Sequence, residues 1–154
     1  MVMGLRCLRE QISALGVSGK KLAILDDDRD ITDVFSRIYC SIGLVSSSYV
    51  YPVDMSKFWD KAKEYDFILV DHMLGGTNGA NVAANLLKNR EVRAKIFIIS
   101  AAFNQDYSSF KYYFKKSSLI DNPCAIFSVD DNIIDRAVET SVLRQMRVEN
   151  ACQS

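Results

Sequence analysis

Short apolar runs alternate with amphipathic segments along most of the chain. Residues 22–25, 67–70 and 96–99 are wholly apolar, too short for a typical helix, and followed by polar side chains. Such runs are typical of strands that are buried on both faces between helices. The β-branched and aromatic stretch 44–51 and the run "CAIFSV" at 124–129 predict two more strands. The pattern therefore predicts five strands, with residues 124–129 as the fifth.

The segments between these strands carry apolar residues at helical spacing. The clearest is 31–42, where we expect Val34 and Phe35 to lie on the inner face and Asp28 to act as the N-cap. Further helices are predicted around 55–62, 80–90, 104–123 and 134–142. Strands that alternate with helices form parallel sheets, because each crossover requires a helix. The fold class is therefore α/β, with a three-layer, doubly wound, five-stranded parallel sheet.

Three parts of the chain can be distinguished. We expect an N-terminal arm or helix over residues 1–20, one domain over residues 21–147 and a C-terminal tail over residues 148–154. The extra N-terminal helical arm could cover the sheet, or pair with a partner or a second copy of the chain, which leaves a homodimer open.

Polar side chains follow the predicted strands. Asp26 and Asp27 follow the first strand, Asp71 ends the third, Ser100 ends the fourth and Ser128 ends the predicted fifth. In doubly wound sheets, ligands bind at this carboxyl edge. Clustered carboxylates repel one another unless a cation neutralises them, and oxygen ligands suit a hard ion such as Mg²⁺. A carboxylate beside Mg²⁺ could accept a phosphoryl group, and Ser100 could donate a hydrogen bond to it.

The stretches "LAILDDDRDI", "ILVDHMLGGTNG" and "IFIISA" occur in this order on the predicted strands. In this order they resemble the receiver domain of two-component response regulators, over most of the chain from about Lys21 to Met146. The resemblance implies a flavodoxin-like, receiver-like sheet and a signalling role rather than an enzymatic one. It also implies that the phosphoryl donor is a phosphohistidine on a sensor histidine kinase or a histidine phosphotransfer protein.

The resemblance assigns roles to individual residues. It implies that Asp71 is the phosphoacceptor and that Ser100 hydrogen-bonds the phosphate. It implies that Mg²⁺ is held by Asp26, Asp27, Asp71 and the backbone carbonyl of Met73.

The predicted fifth strand departs from the family. Ser128 and Val129 stand where receiver domains have a lysine followed by a proline, and Ala125 stands where an aromatic switch residue is common. Lys115 or Lys116 remains open as a substitute cation. Without the lysine and the aromatic residue, we expect phosphorylation to be weakly or abnormally coupled to a change of shape.

These observations lead to one main hypothesis and two rivals. The main one is an atypical stand-alone receiver domain in a phosphorelay, with a downstream protein bound at the 104–142 face. Its principal rival is a phosphorylation-independent pseudo-receiver that acts as an interaction module. A small Mg²⁺-dependent phosphatase is disfavoured, since Met73 stands where a second acid would be needed.

Composition narrows the remaining possibilities. Hydrophobic residues make up 49% of the 154 residues and charged residues 25%, as in a folded domain. Nineteen basic residues balance nineteen acidic ones, which argues against nucleic acid as the partner of the aromatic and lysine-rich stretch "YSSFKYYFKK". No apolar run approaches the length of a membrane span, so we expect no membrane partner. The four cysteines lack a C-x-x-C spacing, which fits a reducing, cytoplasmic location.

Overall fold

The structure is a computed structural model, and it describes residues 16–101 and 112–128. The described residues contain seven strands: β1 (Lys21–Asp26), β2 (Val45–Val50), β3 (Phe67–Asp71), β4 (Met73–Leu74), β5 (Thr77–Asn78), β6 (Lys95–Ser100) and β7 (Tyr113–Lys115). They also contain four α-helices: α1 (Arg29–Ser41), α2 (Met55–Lys61), α3 (Gly79–Lys88) and α4 (Lys116–Asp121). Two 3₁₀ helices cover Ala62–Glu64 and Pro123–Ser128. In these described ranges, no helix is both long and apolar enough to cross a membrane.

Five of the strands form one parallel sheet in the order β2-β1-β3-β6-β7. The chain moves outward in one direction from β1 to β2, and in the other from β3 to β6 and β7. Because crossovers between parallel strands are right-handed, the helices of the two halves lie on opposite faces. The prediction of a doubly wound, five-stranded parallel sheet is confirmed.

The central strands are buried because helices flank them. Every residue of β3 is buried, and so are five of the six residues of β1 and of β6. Their apolar runs predicted this correctly. The edge strand β2 is less covered, and its three serines are half-buried.

Asp28 is the N-cap of helix α1, as predicted: its side chain accepts a hydrogen bond from the Asp30 backbone N–H at 2.9 Å. The buried face agrees with the predicted one at Phe35 and differs from it at Val34. It is formed by Thr32, Phe35 and Tyr39, while Val34 is 41% exposed. Polar atoms on this face are satisfied, because the Thr32 hydroxyl donates to the Arg29 carbonyl of the preceding turn.

The position of the fifth strand was predicted wrongly. The fifth strand of the sheet is β7, which pairs with β6 in the register Ile98 to Tyr113 and Ser100 to Lys115. Residues 113–115 are therefore a strand, although they belonged to the helix predicted over 104–123. The run "CAIFSV" does not pair with the sheet, since Pro123–Ser128 is a 3₁₀ helix.

A proline and a tyrosine explain the 3₁₀ helix. Proline suits the first turn of a helix, where its missing N–H leaves no bond unmade. The hydroxyl of Tyr39 donates to the Pro123 carbonyl at 2.9 Å, and Ile126 is fully buried against the core. The apolar residues of this run thus cover the core as a cap instead of extending the sheet. The N-terminal arm predicted for 1–20, apart from its last five residues, and the helix predicted for 134–142 lie outside the described residues.

Candidate functional site

Strand register brings the predicted site residues together at the carboxyl edge of the sheet. Leu25 of β1 is aligned with Val70 of β3, so the next residues, Asp26 and Asp71, lie side by side. Asp71 is in turn aligned with Ile99, which places Ser100 one position further along β6. The strand order reverses between β1 and β3, and this is the place where doubly wound folds bind their ligands.

Three carboxylates meet at this point. Asp26 is fully buried, Asp71 is 4% exposed, and Asp27 is exposed to solvent. One oxygen from each lies within 4.8 Å of the others. Ser100 is also buried, at 7% exposure, on the neighbouring strand. The prediction that acids distant in sequence would converge here agrees with this geometry, while the roles assigned to them stay predictions.

A lysine also reaches the site. The ammonium nitrogen of Lys116 lies 2.9 Å from Asp26 Oδ2 and 3.0 Å from Asp71 Oδ1, so one cation bridges the two buried carboxylates. Lys116 directly follows β7, the true fifth strand. Its contacts confirm the alternative in which Lys116 is the substitute cation, whereas the prediction that Ala125 and Ser128 belong to a strand of the sheet is wrong. Both residues lie in the 3₁₀ helix, whereas Tyr113 stands three residues before Lys116.

Burial dominates the protonation of the site. It raises the pKa of Asp26 to about 7, helped by the charge of Asp71 and opposed by Lys116 and by the backbone N–H of Asp28, which donates to Oδ1 at 3.0 Å. Burial likewise raises the pKa of Asp71, and the charge of Asp27 adds to this while Lys116 counters it. For Lys116, burial alone would lower the pKa, but hydrogen bonds and charges from the two carboxylates outweigh it and raise the pKa.

The donors fit a magnesium ion. All three carboxylates offer hard oxygen ligands, and two oxygens on one Mg²⁺ are separated by at most about 4.2 Å. The observed spread within 4.8 Å needs only a small closing movement. The buried Oδ2 atom of Asp26 has the Lys116 ammonium, 2.9 Å away, as its partner among the described residues, which leaves part of its capacity to accept unused. A second cation would relieve this under-satisfied oxygen.

The segment after Asp71 forms a tight hairpin beside the site. Strands β4 and β5 pair antiparallel around Gly75 and Gly76, both of which have positive φ angles. Met73 lies in β4 with its side chain 64% exposed, and the metal-binding role of its carbonyl stays a prediction. The hairpin closes where the Gly79 N–H donates to the His72 carbonyl at 2.8 Å. An ideal Cβ on Gly79 would lie only 2.0 Å from the Asp71 carbonyl oxygen, so the site depends on a residue with no side chain there.

Replacing Asp26 by asparagine should stabilise the protein at alkaline pH. Because the folded-state pKa of Asp26 is raised to about 7 from 3.8, its contribution to stability is present below pH 4 and is lost as pH rises through 7. Asparagine carries no charge and keeps an oxygen for the Asp28 N–H. We expect Asp26→Asn to raise the free energy of unfolding by about 2 kcal/mol at pH 8.5 and to give no gain at pH 4, measured by urea denaturation.

Asp27→Asn provides the matched control for this measurement. Asp27 is exposed, so its substitution should change the free energy of unfolding by less than about 0.5 kcal/mol at either pH. A lower stability of Asp26→Asn than of the natural protein at pH 8.5 would contradict the inferred protonation of Asp26.

No protein-family model matches the sequence, and no curated protein sequence matches it either. Several solved structures are similar in fold. A response regulator from Burkholderia pseudomallei, solved with a phosphorylated aspartic acid, a calcium ion and citrate, superposes with a TM-score of 0.60 at 17% identity, covering 88% of this chain and 75% of that one.

Two further solved structures are also similar in fold. The chemotaxis response regulator CheY4 of Vibrio cholerae gives a TM-score of 0.57 at 12% identity, covering 71% of this chain and 99% of that one. The receiver domain of the Francisella response regulator 1452 gives 0.55 at 18% identity, covering 71% and 97%. The chain therefore has the fold of response-regulator receiver domains.

Proposed function

We propose that this protein is a receiver domain that accepts a phosphoryl group on Asp71, with Mg²⁺ bound by Asp26, Asp27 and Asp71. The observation that carries the proposal is the cluster of these three carboxylates at the carboxyl edge of the sheet, two of which are bridged by the Lys116 ammonium. Asp26 and Asp71 are not ordinary surface acids, because both are buried. Burying a carboxylate costs free energy, and such buried, perturbed acids are typical of functional sites.

The donor proposed is a phosphohistidine on a sensor histidine kinase or a phosphotransfer protein in a two-component phosphorelay. A carboxylate oxygen of Asp71 attacks the phosphorus atom, the phosphorus–nitrogen bond breaks, and the histidine imidazole leaves with the electron pair. The product is an acyl phosphate on Asp71. The protein thus acts as a phosphorylated signalling module and not as an enzyme that turns over a free substrate.

The remaining side chains favour this transfer electrostatically. Lys116, 3.0 Å from Asp71 Oδ1, supplies a positive charge beside the incoming phosphoryl oxygens. The hydroxyl of Ser100, one residue beyond the strand position aligned with Asp71, is proposed to hydrogen-bond one of those oxygens. Mg²⁺ bound by the three carboxylates would withdraw negative charge from the transferred group.

The signal is proposed to leave the protein through a contact with another protein at the 104–142 face. The described part of this face contains the edge strand β7, where Tyr113 and Phe114 are half-buried and Lys115 is exposed. Aromatic residues at an exposed edge are enriched in protein interfaces. Because Lys116 directly follows β7, a change in its partners at Asp71 would act on this strand.

The proposal is tested by phosphorylation with acetyl phosphate and Mg²⁺, followed by intact mass spectrometry. The natural chain should gain the mass of one phosphoryl group, and Asp71→Asn should gain none. Asp60→Asn, the same substitution at an exposed position on α2, is the matched control and should be labelled as fully as the natural chain.

The phosphorylation-independent alternative predicts a different result. If neither acetyl phosphate, a histidine phosphodonor nor beryllofluoride modifies or occupies the site in the presence of Mg²⁺, the chain is an interaction module with a receiver fold. Labelling that persists in Asp71→Asn would place the phosphoacceptor elsewhere.

A further inference from the structure

A pocket lies at the opposite edge of the sheet from the carboxylate cluster. It has a volume of about 330 Å³ and is formed around the amino ends of β3 and β6, where Phe67 and Lys95 begin these strands. Strand β3 spans the five residues from Phe67 to Asp71, which separates the two sites by about 13 Å along the strand. The pocket is therefore not part of the proposed phosphorylation site.

The charge of this pocket is positive. Its lining contains three cationic side chains, Lys20, Arg93 and Lys95, against one carboxylate, Asp66. Asp66 is engaged by the backbone, since its Oδ2 accepts a hydrogen bond from the Lys21 N–H at 2.9 Å. Within residues 16–101 and 112–128, Lys20 and Arg93 form no salt bridge. A local excess of positive charge in a chain of zero net charge favours an anion at this position.

Apart from Val17, the rest of the wall is aromatic. Tyr65, Phe67 and Phe127 line the pocket, and the rings of Phe67 and Phe127 meet edge to face with centroids 5.3 Å apart. The ammonium of Lys95 lies 6.0 Å from the centre of the Phe67 ring, so one cation is held at the aromatic wall. Pockets of a few hundred Å³ that combine aromatic walls with a few charged groups are typical of small-molecule sites.

We propose that this pocket binds a small aromatic anion, a molecule that carries a phosphate or carboxylate on a flat ring system, such as a nucleoside monophosphate. Arg93 and Lys20 contact the anionic group, because both are exposed at the rim and carry no competing ion pair with the described residues. The ring system packs against Phe127, which is half-buried in the pocket wall. This proposal does not depend on phosphorylation of Asp71.

The test is a titration of the full chain with adenosine 5′-monophosphate, followed by backbone amide shifts and by calorimetry. Divalent cations are left out, so that the acidic cluster repels the nucleotide. We expect saturable binding with shifts at Lys20, Phe67 and Arg93. The double substitution Lys20→Gln and Arg93→Gln should raise Kd about tenfold or more, which corresponds to about 1.4 kcal/mol. Both residues are exposed, so the fold should be retained.

Matched controls separate the elements of the proposal. Lys63→Gln removes one exposed positive charge outside the pocket and should leave Kd unchanged within about twofold. Adenosine, which lacks the anion, and inorganic phosphate, which lacks the ring, should both bind at least about tenfold more weakly. If adenosine bound as tightly as adenosine 5′-monophosphate, the proposal that the pocket recognises an anionic group would be wrong. If inorganic phosphate bound as tightly as the nucleotide, the proposal that the pocket recognises an aromatic ring would be wrong. Unchanged affinity in the double variant would place the nucleotide elsewhere, and the absence of saturable binding would end the proposal.

Discussion

Gly79→Ala should lower the free energy of unfolding by about 3 kcal/mol. The added Cβ would lie 2.0 Å from the carbonyl oxygen and 2.9 Å from the carbonyl carbon of Asp71, well inside van der Waals contact. These are backbone atoms of the buried strand β3, so no flexible side chain can move aside to make room. The strain must displace either the start of α3 or the end of β3, and the end of β3 carries Asp71 of the carboxylate cluster.

Gly16→Ala is the control for Gly79→Ala, because both substitutions add the same methyl group. Gly16 has a φ of +67°, and nothing lies within 4 Å of its ideal Cβ. Its replacement should lower stability only by the left-handed backbone penalty of about 1 kcal/mol. Urea denaturation of the two variants separates a steric clash from the general loss of a glycine. If Gly79→Ala lost no more stability than Gly16→Ala, the tight approach of the hairpin to Asp71 would be contradicted.

The close approach of Gly79 to Asp71 also illustrates which features of the site can be predicted from the sequence and which cannot. The three buried strands could be predicted because runs of four apolar residues, each followed by a polar side chain, have few other structural meanings. Since parallel strands end at one edge, the meeting of Asp26 with Asp71 follows from the order of strands alone. The close approach of Gly79 to the Asp71 backbone does not follow, because it depends on the three-dimensional path of the β4–β5 hairpin.

The sequence left Lys116 as only one of two possible substitute cations, for a different reason. Its strand, β7, has only three residues and lies at the sheet edge, which is too short for a period of two to be recognised. Tyr113 and Phe114 repeat from Phe110 at a spacing that equally suits a helix. The longer apolar run that follows Pro123 looked more like a strand, yet its apolar residues are buried as a 3₁₀ cap. Placing the strand at 124–129 instead of 113–115 puts Ser128, and not Lys116, at its carboxyl end.

The buried face of α1 also could not be predicted fully from the local sequence pattern. The inner face was predicted from apolar residues, which placed Phe35 inside correctly and Val34 wrongly, while Thr32 and Tyr39 are also buried. Both are amphipathic, and both find hydrogen-bond partners: the Arg29 carbonyl for Thr32 and the Pro123 carbonyl for Tyr39. The partner of Tyr39 is 84 residues away in sequence, so its burial becomes favourable only through a contact that no local pattern contains.

Lys116→Met should lower the free energy of unfolding by about 3 kcal/mol at pH 8 and by about 1 kcal/mol at pH 5. Methionine retains the unbranched stem but removes the charge that lies 2.9 Å from Asp26 and 3.0 Å from Asp71. Without it, the pKa values of both buried carboxyls should rise further above their ordinary range. A carboxyl with a raised folded-state pKa loses its stabilising contribution as pH rises, so the defect should grow from pH 5 to pH 8.

Lys115→Met is the control, since it makes the same change at the adjacent, exposed residue. It should change the free energy of unfolding by less than about 0.5 kcal/mol at both pH values. On the proposed function, Mg²⁺ should recover more stability in Lys116→Met than in the natural protein at pH 8, because the ion then provides the only positive charge between the two carboxylates. If the loss of free energy of unfolding in Lys116→Met did not depend on pH, Lys116 would contribute to stability by packing. Its ion pairs with Asp26 and Asp71 would then not stabilise the protein.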